Sequence, residues 1–125
     1  MIRSLLRPAP LMLMLAGLAI APLALAHPSL LRATPAADAT VAPASQIELQ
    51  FSEKVMPRAT RIELSMDHGR MKMAMPTTAQ EVSEDGHTLR ARFGKPLPAG
   101  RYALQWRAVG QDSHPVTGTY RFTVK

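Results

Sequence analysis

The sequence predicts an all-β protein, a sandwich of about seven strands of the immunoglobulin-like kind. Three observations support this fold class. Apolar residues alternate with polar residues at a period of two, turn-forming clusters separate the alternating runs, and no segment of useful length has helical periodicity. In chain order, the predicted strands lie near residues 30–33, 46–51, 62–66, 82, 89–93, 102–108 and 120–124.

Each strand is predicted from the same local pattern. In the second strand Ile47, Leu49 and Phe51 alternate with polar residues, which is typical of a strand with one buried face. The first strand is predicted near Leu30 to Ala33, and a weaker fourth strand is predicted near Val82. The remaining strands carry the alternating apolar residues Ile62, Leu64 and Met66; Leu89, Ala91 and Phe93; Tyr102, Leu104, Trp106 and Ala108; and Tyr120, Phe122 and Val124.

Residues 1–26 have the features of a secretory signal peptide. Two arginines precede an apolar stretch over residues 11–20, and Ala24-Leu25-Ala26 forms a small-x-small cleavage pattern. Prolines bracket the apolar stretch, which is shorter than the roughly 20 residues that a membrane-spanning helix needs. We therefore expect cleavage after residue 26, and an exported, soluble domain over residues 27–125 that is not embedded in a membrane.

Composition and charge exclude several classes of function. The chain has no cysteine, so disulfides, thiolate zinc sites and cysteine nucleophiles are excluded. Its formal net charge is +6 at pH 7, and loss of the two arginines in residues 1–26 lowers this to +4. The basic residues fall mostly on outward strand positions and the aromatic residues mostly on inward ones. Because nucleic-acid binders cluster basic residues with exposed aromatics, this pattern disfavours nucleic-acid binding.

Three residues form a candidate metal site. Cleavage before His27 would place a free amine beside an imidazole, and Asp112 and His114 are spaced to share one side of an extended chain. Three nitrogens and one oxygen make a tetragonal ligand set that suits Cu(II). The alternative is an Asx-type turn with an exposed histidine. His87 is expected to be a surface residue at a hairpin tip, and spacing alone assigns no role to Glu53.

A second candidate site is rich in methionine. Met66, His68, Met71, Met73 and Met75 crowd into ten residues, and thioether sulfur is a soft ligand that prefers Cu(I). The odd-numbered methionines would project to one side of an extended segment. Two interpretations stay open: an exposed loop whose methionines bind metal, or a half-buried strand whose methionines fill the core.

Several motifs along the chain are similar to those of one known family. They include the opening His27-Pro28-Ser29-Leu30, the run from Ile47 to Glu53, and the Pro98-Ala99-Gly100-Arg101-Tyr102 segment. A last run extends from Trp106 through Asp112-Ser113-His114-Pro115 to Gly118. Together they resemble the CopC family of periplasmic copper-resistance proteins. The resemblance covers essentially all of residues 27–125 and implies a seven-stranded Greek-key β-sandwich.

The resemblance also implies particular copper ligands. The family's Cu(II) site matches His27, Asp112 and His114, and Glu53 holds the place of a glutamate that lies close to that site. Some members add a Cu(I) site, for which Met66, Met71, Met73, Met75 and His68 are the candidates here.

The resemblance further implies a non-enzymatic carrier of copper in the periplasm. Its expected partner is an inner-membrane copper transporter of the CopD type or another periplasmic copper protein. The alternative function is that of a copper-dependent lytic polysaccharide monooxygenase, whose site also uses an N-terminal histidine brace. The small size of the domain and its inward aromatics disfavour that alternative, because little room remains for a flat aromatic substrate face.

Overall fold

The fold is a two-layer β-sandwich. The computed structural model describes Gly17 and residues 27–125, so the predicted signal peptide otherwise lies outside the described residues. Within the described part of the chain, no helix is long and apolar enough to cross a membrane. The nine strands are β1 (Leu30–Thr34), β2 (Thr40–Val41), β3 (Gln46–Phe51), β4 (Arg61–His68), β5 (Met71–Met75), β6 (Ala79–Val82), β7 (Thr88–Arg92), β8 (Gly100–Val109) and β9 (Pro115–Val124).

The strands form one sheet of four and one of five. The four-stranded sheet has the order β1-β3-β7-β6, and all its neighbours are antiparallel. The five-stranded sheet has the order β2-β9-β8-β4-β5, and it is antiparallel except where β2 runs parallel to β9. The predicted all-β sandwich is thereby confirmed, whereas the Greek-key connectivity stays a prediction.

The strand count differs from the seven that alternation predicts. All seven predicted strands are present, but β2 and β5 are additional. The β2 strand has only two residues, too few to show any period. The β5 strand has a regular period, but its methionine face is largely exposed, so its pattern could not be distinguished from that of a loop.

The core lies between the sheets and is built from the alternating residues. Trp106 packs its ring edge against Phe51, with ring centroids 5.4 Å apart. A side chain at Gly118 would overlap the indole ring of Trp106, so only glycine leaves room for that ring. The largest fully buried side chains are Tyr102, Phe51, Phe122, Ile47, Leu49, Leu89, Leu104 and Pro28.

Two side chains join parts of the sandwich that strand pairing does not connect. The Tyr102 hydroxyl donates to the Pro98 carbonyl at 2.5 Å, which ties the start of β8 to the preceding loop in the manner of a tyrosine corner. Gln80, in the four-stranded sheet, bonds to the backbone of Ile62 in the five-stranded sheet. Its Oε1 accepts from the Ile62 amide at 2.9 Å, and its Nε2 donates to the Ile62 carbonyl at 3.1 Å. Gln80 thus closes one side of the sandwich.

Candidate metal centre

The segment before β1 is held at one end of the sandwich. Two backbone amides anchor it: the Ser29 amide donates to the Ser52 hydroxyl at 2.9 Å, and the Ser52 amide donates to the Ser29 carbonyl at 2.9 Å. Pro28 is fully buried, and a side chain at Gly110 would lie only 3.0 Å from its Cδ. Because Pro28 packs on Gly110, the preceding residue, His27, is placed beside the loop between β8 and β9.

That loop is an Asx turn. The His114 amide donates to Asp112 Oδ1 at 3.2 Å, and the Ser113 amide donates to the Gly110 carbonyl at 3.1 Å. Ser113 has a φ of 65°, the left-handed conformation that tight turns use. In this turn Asp112 Oδ1 accepts the backbone hydrogen bond, and Asp112 Oδ2 stays available for other contacts. The predicted Asx turn occurs, and it is compatible with the predicted ligand role of Asp112, because one carboxylate oxygen stays available.

Both histidine rings turn toward the free oxygen of Asp112. Asp112 Oδ2 lies 2.7 Å from His27 Nδ1 and 3.5 Å from His114 Nδ1. The two ring centroids are 5.7 Å apart, and one ligand atom from each residue lies within 4.8 Å of the others. The Asp112 side chain is only 12% exposed, against 58% for His27 and 75% for His114. The arrangement is a shallow site with a largely buried carboxylate and two accessible imidazoles.

A second Asp-x-His sequence adopts the same turn, but in the described part of the chain no further metal-ligating side chain joins it. The His87 amide donates to Asp85 Oδ1 at 3.1 Å, and Gly86 between them has a φ of 80°. Hydrogen bonds from the Ser83 hydroxyl and the His87 amide lower the pKa of Asp85. The His87 ring is half-buried, with Nδ1 3.1 Å from the Phe51 carbonyl. His87 lies in the β6–β7 turn as predicted, but its ring packs inward.

Glu53 lies at the same end of the molecule without joining the cluster. It is half-buried in the segment between β3 and Val55, which pairs with Gly110. Its neighbour Ser52 holds the segment that carries His27. Among the described residues, the grouped ligand atoms are those of His27, Asp112 and His114 alone.

The methionine-rich segment is a β-hairpin. In the pairing of β4 with β5, Met66 lies opposite Met73 and His68 lies opposite Met71. Residues opposite one another in an antiparallel pair point to the same face, about 5 Å apart. Met75 lies opposite Leu64 on that face too. All four methionines and the histidine therefore share one face of the hairpin.

This face is only partly covered, because β5 is an edge strand. Met71 is 74% exposed and Met73 is 51% exposed, whereas Met66 and Met75 pack against the core. Met66 Cε lies where a side chain at Gly100 would be, 2.6 Å from the ideal Cβ position. The segment is thus a strand, as the interpretation of a half-buried strand predicts. Two of its methionines are nevertheless exposed, as the interpretation of an exposed loop predicts.

Sequence reasoning missed the residues that bring the cluster together. Pro28, Gly110 and the Ser29–Ser52 pair position His27 against the turn, although none of them offers a metal ligand. The proline directly after the histidine and the glycine two residues before the aspartate are visible in the sequence. Nothing in the sequence states that they touch.

Fold and site together define a small β-sandwich protein with a candidate metal centre at one end. The CopC domain family matches residues 30–125, and the chain belongs to that family. Copper resistance protein C of Escherichia coli is 40% identical over 107 residues, which cover 82% of this chain and 84% of that protein.

Two further relatives bear on structure and context. The crystal structure of PcoC, a methionine-rich copper resistance protein from Escherichia coli, superposes with a TM-score of 0.74 at 37% identity and covers 80% of this chain and 100% of that one. Copper transport protein CutJ of Bacillus subtilis is 28% identical over 101 residues, which are 79% of this chain but 18% of that protein.

These matches confirm the family resemblance and the fold. They place the chain among copper-binding resistance proteins and not among enzymes. Among the described residues, none of the Phe, Tyr and Trp side chains is exposed, so these rings form no flat face on which a glycan could stack.

Proposed function

We propose that this protein carries copper in the periplasm, binding Cu(II) at His27, Asp112 and His114 and Cu(I) along the methionine hairpin. The observation that carries the proposal is the convergence of two imidazoles on one largely buried carboxylate oxygen. Two sites of opposite softness suit copper in both oxidation states. The high exposure of both imidazoles supports a site that loads and releases its cargo.

The Cu(II) site depends on cleavage before His27. Cleavage frees an amine on the residue whose Nδ1 already faces Asp112 Oδ2, and the amine and Nδ1 of one histidine close a six-membered chelate ring around a metal. Cu(II) bound at Nδ1 would replace the contact that this atom makes with Asp112 Oδ2 at 2.7 Å. Because imidazole, amine and carboxylate must all lose protons to coordinate, Cu(II) binding weakens as the pH falls.

Glu53 is proposed as a supporting carboxylate of this site. It lies in a segment with two contacts: Ser52 bonds to the segment that carries His27, and Val55 pairs with Gly110 at the start of the loop that carries Asp112. Groups around the ligands of a metal site commonly set its affinity and the orientation of those ligands. We assign Glu53 that role or that of an occasional ligand.

The proposed Cu(I) site uses the shared face of the methionine hairpin. Met71 and Met73 supply exposed sulfur atoms, and Met66 supplies a third from a fixed position against the core. His68 adds an exposed imidazole opposite Met71, and Met75 lies at the buried end of the row. Exposed methionines on an edge strand contribute little to packing, which favours a ligand role.

The proposed partner is an inner-membrane copper transporter of the CopD type. Support comes from the match to Copper transport protein CutJ, of which it covers 18%. In that protein, a domain similar to this chain is part of a longer polypeptide that is named for copper transport. Residues 1–26 would direct export to the compartment where such a transporter exposes its outer side.

The test combines mass spectrometry of the N-terminus with a Cu(II) titration. Trp106 is the only tryptophan, so its fluorescence reports binding without a label. We expect a chain that starts at His27 and loses Cu(II) affinity in the His27→Gln variant. The matched control, His87→Gln, should bind as the wild type does. A chain that starts at another residue, or equal affinity in both variants, would contradict the proposed Cu(II) site.

A further inference from the structure

The outward face of the five-stranded sheet carries most of the excess positive charge. Its strands alternate between buried core positions and exposed positions. The outward positions hold five basic and two acidic side chains, a net charge of +3. The basic residues are Arg61, Lys72, Arg101, Arg107 and Arg121, and the acidic ones are Glu63 and Asp67.

The two sheets differ in how many of their outward arginines form ion pairs. On the four-stranded sheet, Arg90 pairs with Glu48 at 2.7 Å and Arg92 pairs with Glu81 at 2.9 Å. On the five-stranded sheet, Arg121 lies 3.6 Å from Asp67, but within the described residues neither Arg61 nor Arg107 has an ion-pair partner. These two arginines therefore carry positive charge that no carboxylate of the described chain neutralises by direct contact.

Arg61 and Arg107 also lie directly opposite each other. They are register partners in the pairing of β4 with β8, and both are exposed. Like charges in directly opposite positions destabilise a sheet. Neither arginine forms an ion pair with Glu63, the exposed carboxylate two residues along β4 on the same face. The pair is therefore suited to receiving an anionic group from outside the chain.

This arginine pair lies at one end of a trough. A concavity of about 300 Å³ is lined by Arg61, Arg107 and Thr117. It shares Glu63, Gln105 and Thr119 with a second concavity of about 660 Å³, which small outward side chains such as Ala103 and Ser65 line. The resulting trough runs along the strands, and Lys72 and Arg121 line its far part.

The shape and chemistry of the trough favour a protein segment over a membrane. A flat bilayer cannot fill a concave surface, but an extended chain can lie in one. The exposed large apolar residues, Leu31, Met56, Met71 and Met73, do not line the trough. The apolar part of its lining comes from half-buried side chains such as Met75 and Ala103, so no large exposed apolar side chain is available there to insert into lipid. Unpaired arginines bind carboxylates in a bidentate manner.

We propose that the trough docks an acidic segment of a partner protein, whose carboxylates pair with Arg61 and Arg107. Arg107 precedes by three residues Gly110, where the loop carrying Asp112 and His114 begins. A docked partner would thus lie at the same end of the molecule as the candidate metal centre. The docking itself does not depend on copper, so it goes beyond the proposed carrier function.

The test uses the metal-free chain starting at His27 and a fluorescently labelled ten-residue glutamate peptide. Anisotropy is expected to show binding that weakens about tenfold or more in the Arg61→Gln/Arg107→Gln double variant. The control, Arg90→Gln/Arg92→Gln, removes the same charge from the opposite sheet and should bind within about threefold of the wild type. Chemical shift changes in the peptide complex should map to β4, β8 and β9.

Three results would overturn the proposal: no peptide binding, equal losses in the two double variants, or binding only to phosphatidylglycerol vesicles. A Cu(II) titration of the same variants separates this question from the carrier function. The Arg61→Gln/Arg107→Gln variant should keep wild-type Cu(II) affinity, because neither arginine contacts the cluster.

Discussion

Replacement of Asp112 by asparagine tests the candidate Cu(II) site most directly. Asparagine keeps the shape of the side chain and the Oδ1 acceptor that the His114 amide uses, but it removes the negative charge. The turn should therefore survive, while the group that both imidazoles face becomes neutral. The same atom, Oδ2, contacts His27 Nδ1 at 2.7 Å and His114 Nδ1 at 3.5 Å, so one substitution affects two proposed ligands.

The structure sets the expected magnitude of this effect. Loss of a group that orients a single ligand lowers metal affinity about 10- to 100-fold. Because Asp112 contacts two imidazoles and is itself a proposed ligand, we expect the upper part of this range, about 100-fold. That loss corresponds to about 2.7 kcal/mol of binding free energy.

The assay is a competition titration with Cu(II), followed by the fluorescence of Trp106. The chain supplies a matched control in Asp85→Asn, which alters the same Asx turn in a second Asp-x-His sequence that has no neighbouring ligand. Circular dichroism of both variants checks that the sandwich is intact. Affinity within twofold of the wild type for Asp112→Asn, or the same loss in the control, would refute the role assigned to Asp112.

Three further predictions concern stability and the second site. Gln80→Ala leaves the amide and carbonyl of Ile62 without their partner, so the free energy of unfolding measured in urea should fall by about 1–3 kcal/mol. The control Gln105→Ala, at an exposed position, should change that free energy by less than about 0.5 kcal/mol. Replacing Met71 and Met73 together by leucine should abolish Cu(I) binding at an unchanged melting temperature; retained binding would show that these exposed side chains are not ligands. Burial raises the pKa of Tyr120 well above its ordinary value of 10.0, so the unfolded state ionises first and stability should fall as the pH rises above about 10. Phenylalanine at this position removes a hydroxyl that has no hydrogen-bond partner among the described residues. This variant should show a flatter decline of stability with pH, and an equally steep decline would contradict the assignment.

Most of the fold could be predicted from local sequence. The alternation at Ile47, Leu49 and Phe51 reports directly which side of a strand is buried, because successive side chains point to opposite faces. The edge hairpin could not be resolved in this way. Its methionines fit both a half-buried strand and a metal-binding loop. Which of the two is correct depends on whether the other sheet covers the methionine face of β5. That depends on how the two sheets pack and cannot be read from the segment alone.

For the candidate metal centre, the sequence determined the ligand types and the tertiary structure decided which of them meet. Absence of cysteine leaves imidazole, carboxylate, amine and thioether as donors. The Asp-x-His sequence occurs twice with the same turn, at residues 85–87 and 112–114. Only the second acquires another histidine, because Pro28 packs on Gly110 and brings His27 across a separation of more than 80 residues. Local spacing cannot encode a contact of that length, which arises only when the two sheets close on a common core.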